Sequence, residues 1–249
     1  MATEQQANTP TTMILIPGAM HGAWTWNLVT PLLEAAGYRV IAPDLPGMGS
    51  HPKIAAAEDT LADWANFVAD LVRGAGGPVI LAGHSRGGLV IGEAAELVPE
   101  MIAGLIYVTA MIARPGETGM QSGRDPTAQP PAMSALQALT ATLERARAIF
   151  YNCCTPEAAD WAIARLEPEP PAPLNTPAEV SWERWGMVPR GYIECRQDQT
   201  LSLARQRRFQ GAAPCDPVIQ LDTDHSPFLS APSELANAML KIASSFVGR

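Results

Sequence analysis

The chain has 249 residues, 47% of them apolar and 17% charged, and a formal net charge of −8. That length supports one sizeable core, alone or with an inserted lid, and requires no second independent domain. The negative charge and the scattered lysines and arginines disfavour nucleic acid, and no uninterrupted apolar stretch nears the roughly 18 residues of a membrane span.

Residues 1–12, "MATEQQANTPTT", have neither a basic start nor an apolar middle. They read as a flexible polar leader rather than a secretory signal, which points to the cytoplasm. Six short apolar runs follow in the chain, each ending in turn residues: "MILIPG" (13–18), "YRVIAPD" (38–44), "VILAGHS" (79–85), "GLIYVTA" (104–110), "GYIEC" (191–195) and "PVIQLD" (217–222). None alternates apolar with polar, and near-continuous apolar character marks strands of a parallel sheet covered on both faces.

Helical patterns fall between the runs, near 24–36, 86–98, 199–210 and 232–246. The clearest is "TLADWANFVADLVRGAGG", with Leu61, Trp64, Ala65, Val68, Leu71 and Val72 on one face and Thr60 with Asp63 placed as a capping box. Strand alternating with helix predicts an α/β fold with a doubly wound, mainly parallel sheet of about six strands. The rhythm breaks over 112–189, a segment rich in proline, methionine and tryptophan. It reads as a mostly helical lid inserted between core segments 13–111 and 190–249, with helices in "AMSALQALTATLERARAIFYN" and "PEAADWAIARL". "LEPEPPAPLNTP" is expected to avoid helix and central strand, because each proline fixes φ and removes a donor. Cys153, Cys154, Cys195 and Cys215 lack metal-ligand spacing and suit free thiols in a reducing compartment. No metal or cofactor is implied.

The chemistry concentrates at Gly83-His84-Ser85-Arg86-Gly87. A serine between two glycines, after a buried strand and before a helix, sits on a sharp corner that projects its hydroxyl above the sheet at a helix N-terminus. Such a hydroxyl needs a base. Of the four histidines, His84 adjoins the serine and should point away, His21 shapes a loop through hydrogen bonds, and His51 lies in a loop and is expected to face solvent. His225, just past the last strand, is left as the base. Asp198, three residues beyond the fifth strand run, is the acid expected to hold it. Asp222 and Asp224 stand too close to His225 along the chain and suit surface or turn roles, while Glu194 and Asp216 lie on less suitable sides of their elements. The expected oxyanion donors are the backbone N–H groups of Ala19 and Arg86. The Arg86 side chain either fixes a neighbouring acid at the surface or lines the entrance. Gly18, Met20, Met120, Met133, Trp161, Trp185, Met187 and Phe228 are candidates for an apolar substrate pocket or, equally, for plain core.

With these segments assembled, the chain resembles the α/β-hydrolase superfamily, in particular the branch of plant methylesterases, salicylate-binding esterase and hydroxynitrile lyases with their bacterial relatives. The resemblance rests on "LIPGAMHGAWTWNLVTPLLEAAGYRVIAPDLPGMGS", "GHSRGG", "LEPEPPAPLNTP", "VPRGYIECRQDQTL" and "DHSPFLSAPSEL". It implies Ser85, Asp198 and His225 as catalytic residues, with Ala19 and Arg86 as oxyanion donors. The lyases of this branch add a threonine in the first oxyanion loop and a lysine after the histidine. Here the loop reads Gly18, Ala19, Met20, and His225 precedes Ser226 and Pro227. The resemblance therefore implies a serine carboxylesterase acting on a small-molecule ester, with a hydroxynitrile lyase or a non-turnover receptor as alternatives and a homodimer as the candidate assembly.

Overall fold

The structure, a computed structural model, describes residues 11–51, 60–125 and 143–246. Six strands form one sheet: β1 (Thr12–Ile16), β2 (Arg39–Ile41), β3 (Val79–His84), β4 (Ile102–Val108), β5 (Arg190–Cys195) and β6 (Val218–Leu221). Their order is β2-β1-β3-β4-β5-β6, and every pairing is parallel. All six predicted strands are present. Of the expected leader, residues 1–10 lie outside the described residues, and Thr12 already belongs to β1.

Side chains alternate across the sheet, as a period of two requires. Ile14, Ile16, Leu81, Leu105 and Tyr107 join one buried cluster with α2 (Leu61–Gly74), α3 (Gly87–Leu97) and Phe209. Met13, Leu15, Ile80, Ile106 and Val108 face the other way, against Leu33 of α1 (Thr30–Ala35) and Leu235, Met239 and Ile242 of the C-terminal helix (Pro232–Phe246). Full burial of each such aliphatic side chain contributes roughly 1.5–3 kcal/mol.

Local chemistry sets the helix ends. Thr60 accepts the Asp63 N–H while Asp63 Oδ2 accepts the Thr60 N–H, the reciprocal cap expected from sequence. The pattern over 24–36 is two elements, a 3₁₀ turn (Ala23–Trp26) and α1, and Pro31 falls in the first turn of α1, where its missing N–H costs least.

Between β4 and β5 lie α4 (Leu143–Phe150), α5 (Pro156–Ile163), α6 (Ala172–Asn175) and a 3₁₀ turn at Trp185–Met187. These inserted helical segments form the lid-like region. The first part of the predicted helix in "AMSALQALTATLERARAIFYN" lies outside the described residues, as does Met133. Helix α6 corrects the expectation for "LEPEPPAPLNTP": one helical turn forms inside it, because Pro173 occupies the first turn. The remaining helices are α7 (Leu203–Ala212), α8 (Pro227–Ser230) and α9 (Pro232–Phe246). Among the described residues no helix is long and apolar enough to cross a membrane.

Two acids of α3 fasten the returning lid segment. Glu93 Oε1 accepts the Glu179 N–H at 2.7 Å, and Glu96 accepts from Ser181 and from the Trp185 N–H. Burial, together with nearby Glu179 and Glu96, pushes the Glu93 carboxyl up to about 7, against the pull of the Glu179 N–H. The folded state therefore holds this proton more tightly than the unfolded chain, and its stabilising effect disappears as pH rises from about 4.5 through 7. Glu93→Gln keeps the acceptor and removes the titration. Its melting temperature relative to the parent is expected to be higher at pH 8 than at pH 5, read by thermal unfolding at both values. An equal difference at the two pH values would contradict the shift.

Candidate active site

The strand order reverses direction at β1: β2 lies on one side of it and β3 on the other. Loops leaving the carboxyl ends of two such strands part and open a crevice between them. In the β1–β3 ladder Ile16 is level with Gly83, so the strap after β1 and the turn after β3 emerge side by side. A Cβ on Gly18 would stand 2.6 Å from His84 Nδ1 and 3.0 Å from Ser85 Cβ; the strap lies directly against the turn.

Ser85 occupies the left-handed region, with φ +52, between the last residue of β3 and the start of α3. This is the strained corner that the glycine pattern predicts. A Cβ on Gly83 would meet the Gly87 carbonyl oxygen at 2.6 Å, and one on Gly87 would meet the carbonyl oxygens of Ile16 and Pro17 at 2.7 Å. The contacts are with backbone, so no rotamer change relieves them.

The carboxyl ends of β5 and β6 bring Asp198 and His225 to the same rim. His225 Nε2 lies 3.0 Å from Ser85 Oγ, and His225 Nδ1 lies 2.7 Å from Asp198 Oδ2. All three residues are buried. Because a carboxylate only accepts, the imidazole donates from Nδ1, and Nε2 is left to accept from the serine hydroxyl. The arrangement matches a Ser-His-Asp triad.

Asp198 is held by four donors. Its Oδ1 accepts the N–H groups of Thr200 (2.7 Å) and Leu201 (2.8 Å), while Oδ2 accepts the Thr109 hydroxyl at 2.5 Å as well as His225. Thr109 follows β4 with φ +36. Sequence reading did not single it out, since a threonine at a strand end carries no signal of its own.

The remaining histidines are explained locally. His84 Nε2 donates to the His225 carbonyl at 2.7 Å, fixing the backbone that carries the base from below. Burial lowers the His21 ring to about 4, with a backbone bond to Ala19 opposing and nearby His225 and Arg86 adding to the shift. A neutral His21 donates from Nδ1 to the Ala19 carbonyl at 2.7 Å and accepts the Tyr151 hydroxyl at Nε2 at 2.8 Å. His51 is half-buried, edge-on to Phe67, rather than fully exposed. Asp222 is on the surface as expected. Asp224, however, is fully buried and ties together the N–H groups of Ser226 and Cys153, so its turn role is served from the interior.

Among the described residues no hydrogen bond uses the backbone N–H of Ala19 or of Arg86. The Arg86 side chain does fix an acid, Glu169, at 3.0 Å. That pair is buried, which corrects the surface placement expected for it.

The pocket candidates separate. Gly18 and Met20 lie on the strap. Trp161 and Phe228 line, with Trp24, Leu28, Ala158 and Leu229, an apolar pocket of about 400 Å³ whose walls do not include the triad. Met120 is half-buried against the larger core cluster. Trp185 sits in that core under α3, donating to the Tyr107 hydroxyl, and Met187 is 75% exposed. Met187 lies three residues before β5 begins, at the sheet edge opposite the carboxyl ends, which removes it from the triad's rim. Among the described residues no group of three His, Cys, Asp or Glu side chains is placed to hold a metal ion.

Residues 13–238 match the alpha/beta hydrolase family. A pyrethroid hydrolase of Sphingobium wenxiniae is 36% identical over 252 residues, covering 94% of this chain and 88% of that protein. Polyneuridine aldehyde esterase of Rauvolfia serpentina is 28% identical, covering 93% and 95%. The crystal structure of a pyrethroid hydrolase from Sphingobium faniae superposes with a TM-score of 0.79 at 32% identity, covering 95% of this chain and 98% of that one.

Proposed function

The chain belongs to the alpha/beta hydrolase family, and from that premise we propose that it is a serine carboxylesterase acting on small carboxylic esters. The observation that carries this reading is the continuous path from Ser85 Oγ to His225 Nε2 and from His225 Nδ1 to Asp198. The names of the relatives, a pyrethroid hydrolase and an aldehyde esterase, agree with ester cleavage.

In the first half-reaction Ser85 Oγ attacks the ester carbonyl carbon as His225 Nε2 takes its proton. The tetrahedral oxyanion is held by the N–H groups of Ala19 and Arg86, near the positive end of α3. Collapse breaks the carbonyl carbon–alkoxy bond, and His225 returns the proton to the departing alcohol. Water then repeats the sequence on the acyl-enzyme and releases the carboxylic acid and Ser85. Gly18 and Met20 are kept as substrate neighbours, because their strap lies against Ser85. The four cysteines are free, which suits a reducing, cytoplasmic setting.

The test is steady-state hydrolysis of short-chain 4-nitrophenyl and methyl esters, with both acid and alcohol products quantified. Multiple turnovers yielding equal amounts of the two are expected. Stoichiometric binding without turnover across the panel would overturn the reading in favour of a receptor.

A further inference from the structure

Ala19 is flanked by two peptide groups, and the structure anchors both of them. The first joins Gly18 to Ala19 and carries the N–H assigned to the oxyanion; its carbonyl oxygen accepts from Arg86 Nη2 at 2.9 Å and, more weakly, from the His21 N–H at 3.3 Å. The second joins Ala19 to Met20. Its carbonyl accepts from His21, and its N–H, on Met20, donates to Glu169 Oε2 at 3.0 Å. The same Glu169 oxygen receives Arg86 Nη2 at 3.0 Å. One step further along, the Glu167 N–H donates to the Met20 carbonyl. The "EPE" of the proline-rich lid segment thus closes on a strap nearly 150 residues earlier in the chain, at a residue, Met20, held at φ +63.

This ion pair is poorly arranged for stability alone. Both side chains are almost wholly buried. Arg86 Nε and Nη1 and Glu169 Oε1 have no hydrogen-bond partner among the described residues. A buried pair with unfilled donors and acceptors is commonly matched or exceeded in stability by apolar side chains of the same size. The atoms that are satisfied are those aimed at the strap.

We propose that the Arg86 side chain and Glu169 are positioning residues that set the orientation of the Gly18–Ala19 peptide, so that the Ala19 N–H points at the developing oxyanion. In a planar trans peptide the carbonyl and N–H point in opposite directions, so a cation holding the Gly18 oxygen fixes the direction of the Ala19 N–H. A charged donor on that oxygen also polarises the amide and strengthens its N–H as a donor. Glu169 supplies the counter-charge and locks the next peptide, which stops the strap rotating about Ala19. Arg86 then serves the oxyanion twice, through its own N–H and by aligning the other donor. This assignment rests on the reading of Ser85 as nucleophile.

Replacing one partner alone would strand a buried charge, so the informative protein is the double variant Arg86→Met/Glu169→Met. It puts an unbranched apolar chain in place of the guanidinium, whose carbon lies 4.4 Å from the centre of the Trp64 ring. The double variant is expected to fold with a melting temperature near the parent's. Its kcat should fall about 10- to 100-fold, the range for a misaligned oxyanion donor, with KM within about twofold. Affinity for a trifluoromethyl ketone analogue, which forms a serine-bound oxyanion, should fall by the same factor as kcat/KM, while inhibition by the product alcohol stays unchanged. Glu169→Gln, which retains an acceptor for the Met20 N–H, should lose less than the double variant. A folded double variant with kcat within twofold of the parent would overturn the proposal, and so would a kcat loss with unaltered affinity for the trifluoromethyl ketone. Ser85→Ala run in parallel separates the two levels. An inactive Ser85→Ala beside an unimpaired double variant removes only the positioning role, whereas a fully active Ser85→Ala overturns both.

Discussion

Ser85→Ala is expected to lower kcat/KM for an activated ester by at least about 10³-fold and to leave the melting temperature nearly unchanged. The hydroxyl is the only group removed, and among the described residues its one hydrogen bond is to His225. Alanine meets the same backbone strain at φ +52 as serine, so the corner keeps its shape. The residual rate would be that of a site still able to bind the ester and orient water with its oxyanion donors. His225→Gln should lose a comparable factor, and the double variant should lose little more than either single one, because nucleophile and base act as one unit. Additive losses, measured by initial rates on one ester, would contradict that coupling.

Asp198→Asn is expected to reduce kcat by about 10³- to 10⁴-fold, the scale seen when a triad carboxylate is replaced by its amide. The geometry gives the reason. Oδ1 of Asp198 receives the N–H groups of Thr200 and Leu201, so an amide in its place must keep its oxygen there. The amide nitrogen would then face His225 Nδ1, 2.7 Å away in the parent, and would donate to it. The imidazole would be forced to carry its proton on Nε2, where it can no longer accept from Ser85. Thr109→Val removes one donor to Oδ2 without changing the tautomer, and a loss of about 10- to 100-fold is expected from a single hydrogen bond to an ionised group. If Asp198→Asn retained more than a tenth of the parental kcat, the role assigned to this carboxylate would be wrong.

The strands and the nucleophile turn were legible because each is a local pattern. An unbroken apolar run can be buried only on both faces, and glycines two residues either side of Ser85 answer contacts within one turn. His225 stands out because the chain has only four histidines, and Asp198 because it follows a strand. The groups that complete the site were not legible. Thr109, His84 and Glu169 act on residues 83 or more positions away in the chain, through contacts that exist only once the sheet order is set. The proline-rich lid segment displayed its backbone restrictions but not the two glutamates' grip on Met20. Trp185 and Met187 show the limit of composition: it suits a pocket and plain core alike, and their place before β5 puts one in the core and the other in solvent.

The central claim is that Ser85 carries the acyl group, and covalent labelling tests it most directly. A fluorophosphonate, which gains a bond from a serine oxygen to phosphorus and loses fluoride, should inactivate the protein with one label per chain, located by peptide mapping on Ser85. Complete labelling of Ser85 with ester turnover undiminished, or inactivation by a label placed elsewhere, would contradict it.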